Sequence, residues 1–507
     1  MNLVERLLSR AAERGDQPAI VESRRGRDRA TSFAELAARC AGAAAHLRRE
    51  GVASGDPVLF LAPMSAALYV WLLGTLRLGA TAMFLDPSAG RAHAARCLGM
   101  MAPRAFIGSA RAHLLRFLIA ELRRVPAHVH VDGPFAAQPP DAPGEALAPC
   151  AAEHPALVTF TSGSTGEPKA VVRSHGFLLE QHRVLEKALE LRPGGVDLTT
   201  LPIFLLANLA SGVTSVIPEG DLRRPGAIDP GPVRGQLERL RPQSVGAAPA
   251  FIERLCEGGT LAPLRRVYVG GGPVFPNLIA RAKGLLPQGE VIAVYGSTEA
   301  EPIAHVASAE ISDADYRSMR DGGGLLAGAP IDEIELAVLP NRWGEPLAAF
   351  TPDSFRAAHL APGEVGEIVV SGAHVVRGYL HGRGDAETKF DVGATRWHRT
   401  GDLGRLDESG RLWLLGRCTA AVHDARSTLY PFAVECAAQQ IAGVRRAALA
   451  VVAQRRILAY EGESGLPVRD ALAWASLDEI RRVEAIPLDS RHNSKIDYPA
   501  LSRLLAS

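Results

Sequence analysis

The sequence predicts an α/β protein with a large N-terminal domain, built from two mostly parallel sheets with helices, and a small β-barrel-like subdomain. A small C-terminal α/β domain completes the prediction. Three observations support it: strand-like and helix-like runs alternate up to about residue 306, short alternating strands follow residue 320, and a separate βα pattern ends the chain. Such alternation is typical of a parallel sheet covered by helices. The predicted boundaries are 1–417 for the large domain, with about 320–417 as the β-rich subdomain, and 418–507 for the small one.

One apolar stretch, from Val58 to Phe84, carries a single charge at Arg77 and is long enough to span a bilayer. Pro63 and Gly79 interrupt it, and a buried strand–helix–strand unit gives the same continuous hydrophobicity. We therefore expect no integral membrane span. The predicted elements are a strand Val58–Leu61, a helix Ser65–Leu78 and a strand Thr81–Leu85.

Glycine and proline turns delimit the other predicted elements. Helices are predicted over Thr31–Arg49, Arg91–Met101, Ala433–Ile441 and Leu477–Arg482. Strands are predicted over Leu157–Thr161, Ser244–Gly246, Arg266–Gly270, Val291–Tyr295, Glu333–Val338, Gly366–Val370, Leu412–Leu415 and Ala447–Val452.

Composition narrows the class of protein. The 507 residues are 47% hydrophobic and 22% charged, which indicates a globular chain of several domains. A formal net charge of +1 argues against nucleic acid as the main partner. The six cysteines form no CxxC pair, so we expect reduced, mostly buried thiols in a cytoplasmic protein.

The strongest local signal is the string LVTFTSGSTGEPK at Leu157–Lys169, where an apolar strand runs into a loop of glycines and hydroxyls. Successive turn amides can form an anion-binding nest, and the terminal lysine adds a point charge. It is not a Walker A loop, because GxxxxGK[ST] is absent. A plain surface loop is the alternative to the predicted polyphosphate cradle. The predicted binding residues are Thr161, Ser162, Gly163, Ser164, Thr165, Gly166 and Lys169.

This string and the motifs that follow it in order resemble the acyl-adenylate-forming (AMP-dependent synthetase/ligase) superfamily over essentially the whole chain. The resemblance implies an AMP-forming acid ligase that uses ATP and Mg²⁺ on a small-molecule carboxylic acid. It implies that Tyr295 stacks on adenine, that Glu299 binds Mg²⁺ and that Thr165 is catalytic. The resemblance also implies that a turn at the end of a strand borders the adenine, and a purely structural turn is an equal alternative. This turn comprises Gly270, Gly271, Gly272 and Pro273. The second nucleotide string is Tyr295, Gly296, Ser297, Thr298 and Glu299.

Two further strings complete the site that the resemblance implies. In WHRTGD, Asp402 accepts hydrogen bonds from both ribose hydroxyls and is expected at a turn. The resemblance implies that Arg417 contacts ribose or phosphate. It stands just before the hinge between the large domain and the mobile small domain, with Thr419 at the pivot about which the small domain moves. Lys495 matches the catalytic lysine that bridges the α-phosphate and the carboxylate. Only five of the 56 basic side chains are lysines, and two of the five fall in these motifs.

Some positions depart from the thioester-forming members. Arg426 stands where those members have a glycine beside the pantetheine tunnel, and His423 replaces a lysine. CoA is therefore disfavoured as a partner. Four segments resemble the β-lactone synthetases of bacterial olefin biosynthesis, which adenylate a β-hydroxy acid and close it to a β-lactone with release of AMP. They are Gly194–Phe204, Thr214–Pro225, Ser427–Pro431 and Asp489–Ile496.

The predicted function is thus activation of a long-chain β-hydroxy acid followed by ring closure. An AMP-forming medium- or long-chain fatty acyl-CoA ligase is the alternative, and an inactive nucleotide-binding relative is the second. His398 and His423 are candidates for the ring-closing base, and association with neighbouring pathway enzymes is left open. The predicted acyl pocket, for which ordinary core is an equal alternative, comprises Phe204, Leu205, Asn208 and Ala248.

Overall fold

A computed structural model describes residues 2–86, 90–134, 136–137, 145–162, 168–489 and 494–506. The chain divides into two compact units. The first comprises the chain up to Leu222 together with Gly231–Gly246 and Gly378–Asp385; the second comprises Arg223–Pro230, Ala247–Arg377 and the chain from Ala386 onward. The predicted boundary at residue 417 stays a prediction.

The first unit alternates helices and strands as predicted. Its helices are α1 Val4–Arg14, α2 Phe33–Arg49, α3 Ala66–Arg77, α4 Arg91–Met100, α5 Ala110–His113, α6 Ala120–Arg123, α7 His175–Ala188, α8 Pro202–Ser211 and α9 Pro230–Leu240. Its strands are β1 Pro18–Arg24, β2 Arg27–Ser32, β3 Pro57–Leu61, β4 Thr81–Phe84, β5 Ala105–Gly108, β6 Ala127–His130, β7 Pro155–Ser162, β8 Pro168–Ser174, β9 Val196–Thr199, β10 Thr214–Ile217 and β11 Ser244–Ala247.

Two sheets organise this unit. One has the order β6-β5-β3-β4-β7-β8 and is parallel except for β8, which runs antiparallel to β7. The other runs β11-β9-β10-β1-β2, again parallel apart from the last pair. The stretch from Val58 to Phe84 forms β3, α3 and β4, with β3 and β4 parallel, which confirms the strand–helix–strand prediction. In the described part of the chain, no helix combines the length and apolarity needed to cross a bilayer.

Helix α3 is apolar on all sides because it is buried, and its start follows from its sequence. The Ser65 hydroxyl accepts a hydrogen bond from the Leu68 amide at 3.2 Å, which caps the helix. Gly74 then allows α2 to approach closely, since a Cβ there would lie 2.7 Å from the Cβ of Ala43 and 3.0 Å from the Ala44 nitrogen.

All six cysteines are buried, as predicted.

The second unit is richer in antiparallel strands. Its helices are α10 Pro249–Cys256, α11 Pro276–Gly284, α12 Asp313–Arg320, α13 Pro352–Ala357, α14 Asp385–Thr388, α15 Pro431–Gln439, α16 Val468–Ala471 and α17 Tyr498–Ala506. Its strands are β12 Arg266–Val269, β13 Glu290–Ser297, β14 Ala300–Ala307, β15 Leu325–Pro330, β16 Glu335–Leu339, β17 Gly366–Ser371, β18 Lys389–Val392, β19 Thr395–Leu406, β20 Leu412–Arg417, β21 Val422–His423, β22 Thr428–Leu429, β23 Val444–Val452, β24 Arg455–Gly462 and β25 Glu479–Arg482.

Three groups of strands are hydrogen-bonded in this unit. The largest has the order β16-β17-β19-β20-β15-β14-β13-β12, with β18 beside β19, and only β12 and β13 pair in parallel. The hairpin β21–β22 stands alone, and β23-β24-β25 form a three-stranded sheet. That small sheet and α15 share an apolar core, which includes Leu449 and Leu458 of the sheet and Val434 of the helix.

The helix predicted over Leu477–Arg482 is wrong. The segment contains β25, which pairs in parallel with β24 from Ile457 opposite Glu479 to Tyr460 opposite Arg482. Leu477 and Ile480 are spaced as on a helix, but a short apolar run does not distinguish helix from strand. Hydrogen bonding to the edge of the small sheet decides the conformation.

The contact at Gly74 predicts a stability effect. Gly74→Ala should lower the free energy of unfolding by about 1–3 kcal/mol, because the added methyl has to displace the α2 backbone. Gly99→Ala in α4 is the matched control, since a Cβ there meets nothing within 4 Å. Urea denaturation of both variants checks this, and equal midpoints would contradict the steric reason.

Candidate active site

A cavity of about 350 Å³ lies within the second unit and brings together residues far apart in the sequence. It joins three of the predicted nucleotide strings with the segment around Lys495. Gly270, Thr298 and Glu299 belong to these strings but are not among the described residues that line the cavity. The predicted residues that line it are Gly271, Gly272, Pro273, Tyr295, Gly296, Ser297, Asp402, Arg417 and Lys495.

The carboxylate of Asp402 is held from two sides. The Tyr295 hydroxyl donates to its Oδ2 at 2.8 Å, and Nη1 of Arg417 lies 3.2 Å from its Oδ1. The Asp402 charge is the main cause that raises the pKa of Arg417, and burial raises the pKa of Tyr295. The expected turn is wrong: Asp402 lies inside β19, which continues to Leu406, and it is paired with Arg417, the last residue of β20. Gly401, with a φ of 72°, gives the strand its local irregularity.

A buried ion pair fixes the strand that carries Asp402. Arg399 donates from Nε and Nη2 to the two oxygens of Glu367, both at 2.7 Å, and neither side chain has more than 1% of its surface exposed. Its Nη1 donates to the backbone oxygens of Glu345 at 2.6 Å and Glu387 at 3.2 Å. The arginine of the WHRTGD string is therefore a structural residue behind the cavity.

The backbone around Lys495 is clamped by one carboxylate. Oδ1 of Asp489 accepts from the amides of Lys495 at 2.9 Å and Ser494 at 3.2 Å, while the Asp489 amide donates to the Lys495 oxygen at 2.8 Å. Ser494 packs on the glycine turn: a Cβ at Gly272 would lie 2.7 Å from the Ser494 Cβ. The lysine side chain itself is exposed at the cavity.

Glu435 lines the same cavity, although no motif in the sequence marks it as a functional residue. Its Oε1 accepts from the Leu449 amide and from the Tyr498 hydroxyl, each at 3.0 Å. Its Oε2 has no hydrogen-bond partner among the described residues. Complete burial raises the pKa of Glu435 to about 7. A single glutamate in the apolar helix α15 is not distinguishable from an exposed one by spacing, and Tyr498 starts the helix just after Lys495.

Arg426, the residue in place of the family's glycine, has a fixed position. Its guanidinium contacts both oxygens of Asp478, at 2.8 and 3.0 Å, and Oδ2 of Asp424 at 3.0 Å. Arg426 is also the main cause that lowers the pKa of Asp478 to about 2. Asp424 in turn pairs with the buried Arg456 at 2.7 and 2.8 Å. The arginine is thus built into the β21–β22 hairpin and cannot be regarded as a loose surface side chain.

The two histidines proposed as bases do not line the cavity. His398 is 3% exposed, and its Nδ1 lies 3.2 Å from the Thr388 oxygen. His423 is exposed on the β21–β22 hairpin, with Nδ1 3.0 Å from the Thr428 hydroxyl. Both contacts give these rings structural partners.

The predicted phosphate cradle lies in the first unit. Thr161 and Ser162 end β7, Lys169 lies in β8, and Thr161 is paired with Lys169 across the two strands. The Lys169 ammonium is 5.7 Å from the centre of the Tyr379 ring. Gly163, Ser164, Thr165 and Gly166 lie outside the described residues.

The predicted acyl-pocket residues have interior positions. Phe204 and Leu205 are buried in α8, and the Phe204 ring lies beside Gly246, where a Cβ would come within 2.5 Å of it. The Asn208 amide donates to Asp197 at 3.2 Å, Thr199 at 3.0 Å and Ser215 at 3.0 Å. This amide is committed to a buried polar network. Ala248, in the second unit, is the residue before α10.

The described residues also fit a magnesium ion that arrives with its substrate. They contain no group of three or more His, Cys, Asp or Glu side chains that could enclose a metal ion. Mg²⁺ is usually held by one or two carboxylates together with substrate phosphates and water. Glu299, half-buried in the turn after β13, can supply one such carboxylate, and its charge helps to raise the pKa of Arg417.

Comparison with known families assigns the class of protein. A family model described as AMP-binding enzyme matches residues 7–380. The chain belongs to this family and is an AMP-forming acid ligase. The resemblance inferred from the motifs is confirmed.

Two curated relatives match nearly the whole chain. An olefin beta-lactone synthetase of Stenotrophomonas maltophilia (strain K279a) is 34% identical and covers 99% of this chain and 97% of its own. A second, from Xanthomonas campestris pv. campestris, is 31% identical with the same coverage. Among solved structures, the anthranilate CoA ligase AuaEII with anthranoyl-AMP has a TM-score of 0.82 at 18% identity, covering 100% of this chain and 98% of its own. ATP-bound MatB from Rhodopseudomonas palustris has a TM-score of 0.79 at 20% identity, covering 99% of each. These structures confirm the fold.

The buried ion pair yields a prediction. Arg399→Met should lower the free energy of unfolding by about 3–5 kcal/mol, because it leaves the Glu367 charge uncompensated in the interior. The double variant Arg399→Met/Glu367→Leu should recover at least half of that loss. Urea denaturation measures both, and a double variant less stable than the single one would contradict the assignment.

Proposed function

We propose that this enzyme activates a long-chain β-hydroxy carboxylic acid as its acyl-AMP and then closes it to a β-lactone. The observation that carries the proposal is the 34% identity, over 99% of the chain, to an olefin beta-lactone synthetase. The product follows from the relatives, while the cavity residues support the adenylation step. A cytoplasmic location and a small-molecule acid as main partner complete the proposal.

In the first step, a carboxylate oxygen attacks the α-phosphorus of ATP while the bond to the pyrophosphate oxygen breaks. Asp402 accepts the ribose hydroxyls, since a carboxylate can accept from a vicinal diol. The Tyr295 and Arg417 contacts at 2.8 and 3.2 Å fix that carboxylate before the nucleotide arrives. The Lys495 ammonium offsets the repulsion between the two anions that must meet.

Glu299 would hold Mg²⁺ in this proposal, together with substrate phosphates. When bound, the ion would supply positive charge that offsets the negative charge of the phosphate oxygens. The cradle between β7 and β8 is proposed to bind phosphate, with Lys169 as its cation. Thr165 belongs to that cradle and lies outside the described residues.

In the second step, the β-hydroxyl oxygen attacks the acyl carbon, the bond from that carbon to the AMP oxygen breaks, and the hydroxyl proton is lost. Nucleophile and electrophile belong to one molecule, so effective molarity replaces a second substrate site. The fixed position of Arg426, paired with Asp424 and Asp478, opposes a pantetheine arm at this hairpin. The enzyme therefore needs no external thiol.

We also propose residues 1–417 as the large domain and 418–507 as a small domain that moves about Thr419. The small domain has its own core, which includes Val434, Leu449 and Leu458. It also carries both Lys495 and the clamp on Asp489. Motion about one hinge would move the lysine as a unit with its clamp.

The deciding experiment measures pyrophosphate, AMP and organic product with matched β-hydroxy and simple fatty acids, with and without CoA. The proposal expects AMP and a β-lactone from β-hydroxy acids without CoA. Release of AMP that requires CoA, with a thioester as product, would establish the acyl-CoA ligase instead. No pyrophosphate with any acid would indicate an inactive nucleotide-binding relative.

Removal of the lysine tests the first step. Lys495→Ala should slow pyrophosphate release by about 100- to 1000-fold, the usual effect of losing one electrostatic stabiliser of the transition state. ATP binding and the melting temperature should change little, because the side chain is exposed. Lys187→Ala, at an exposed position of α7, is the control. Near-normal turnover in the Lys495 variant would reject the role.

Removal of the carboxylate tests nucleotide binding. Asp402→Ala should weaken ATP binding about 10- to 100-fold, since hydrogen bonds to a charged group contribute about 1.5–3 kcal/mol. Asp353→Ala, at an exposed position of α13, is the control and should bind ATP normally. Isothermal calorimetry of both variants makes the comparison, and equal affinities would contradict the ribose contact.

A further inference from the structure

Three of the large apolar side chains on the first unit are exposed next to one another. Leu114 is 60% exposed, Phe117 78% and Leu118 58%, the highest values among the large hydrophobic side chains of the described residues. Leu114 and Phe117, three positions apart, lie on one face of the 3₁₀ turn Leu114–Phe117, and Leu118 follows directly. We call these three residues the apolar patch.

The segment under the patch is anchored. Ser109 caps α5 by accepting from the Ala112 amide at 3.2 Å, and the His113 ring stacks on the His130 ring at 3.7 Å. Ile119 and Leu122 are buried in the apolar core of the parallel sheet. The outward side chains therefore belong to an ordered, packed segment, and their exposure is a property of the fold.

The charge around the patch has one dominant sign. Residues 110–124 contain four arginines, at positions 111, 116, 123 and 124, against the single acid Glu121, in a chain whose overall net charge is +1. Arg111, Arg123 and Arg124 are exposed, and none of the four forms an ion pair within the described chain. Apolar side chains flanked by arginines are typical of segments that lie in a lipid interface.

We propose that the apolar patch and its arginines dock this enzyme on the surface of an anionic lipid bilayer. Leu114, Phe117 and Leu118 enter the headgroup and acyl boundary, and the arginines contact lipid phosphates. Charge selects this occupant over a second copy of the chain, because a symmetric dimer would place each basic segment against its counterpart. The proposal is independent of the reaction product. An enzyme docked on the bilayer would also have access to an acid dissolved in the membrane.

Vesicle sedimentation tests the docking with the full-length enzyme. Vesicles of phosphatidylglycerol mixed with phosphatidylcholine should bind the enzyme, and pure phosphatidylcholine vesicles should bind it at least about tenfold less. Binding should fall steeply in about 1 M salt, where the Debye length is about 3 Å. Absence of binding to the anionic vesicles would overturn the proposal.

Two variants separate the apolar from the basic contribution. Leu114→Ser/Phe117→Ser/Leu118→Ser and Arg111→Gln/Arg123→Gln/Arg124→Gln should each lower vesicle binding about tenfold or more. The control Val451→Ser/Leu504→Ser changes exposed apolar side chains elsewhere and should bind as the original chain does. Unchanged binding in both test variants would overturn the proposal.

Oligomeric state and activity complete the test. If sedimentation velocity finds a dimer that the serine variant abolishes, a second copy covers the patch and the lipid proposal fails. Melting temperatures verify folding, and the arginine variant alone suffices if the serine variant is unstable. Pyrophosphate release without vesicles should match the original enzyme in both variants. Vesicle binding is read without turnover, so its failure and that of the proposed reaction are separate results.

Discussion

An arginine and a glutamate, each almost wholly withdrawn from water, hold β17 against β19 and fix the position of the carboxylate three residues further on. Arg399 reaches both oxygens of Glu367 and two backbone oxygens, one before α13 and one in α14. Such a pair contributes little net stability, because both charges lose their hydration. Its value lies in geometry: with all three guanidinium nitrogens hydrogen-bonded, Arg399 holds β19 so that Asp402 lies at the cavity.

Much of the fold could be predicted because proline and glycine punctuate an otherwise continuous apolar pattern. The division of Val58–Phe84 into β3, α3 and β4 followed from Pro63 and Gly79 and is confirmed. The segment after Leu477 could not be predicted in the same way. Its few apolar residues fit a helix as well as a strand, and only hydrogen bonding to β24 distinguishes them. The prediction that Asp402 lies at a turn is wrong for a related reason. A TGD string is compatible with a turn, and only its pairing with β20 shows that it belongs to a strand.

The candidate site was predictable where its residues stand in strings and not where they stand alone. Gly271, Gly272, Tyr295, Asp402, Arg417 and Lys495 come from five different parts of the sequence and line one cavity. Glu435 lines it too, yet nothing in its neighbourhood marks it, because its significance depends on burial and on the Tyr498 hydroxyl. Asn208 shows the reverse case. A polar residue in an apolar helix suggested a pocket, whereas its amide donates hydrogen bonds to Asp197 and to neighbouring hydroxyls. Contacts between distant parts of a chain are what spacing alone cannot supply.

The lack of a side chain at Gly272 has a consequence for where the segment that carries Lys495 can lie. The arrangement that brings Lys495 to the cavity places the Ser494 Cβ 2.7 Å from where a side chain at residue 272 would begin. One added carbon at that backbone position would have to displace Ser494, and the neighbouring Lys495 with it. The lack of a side chain at Gly272 thereby sets how closely the lysine segment can approach this wall of the cavity.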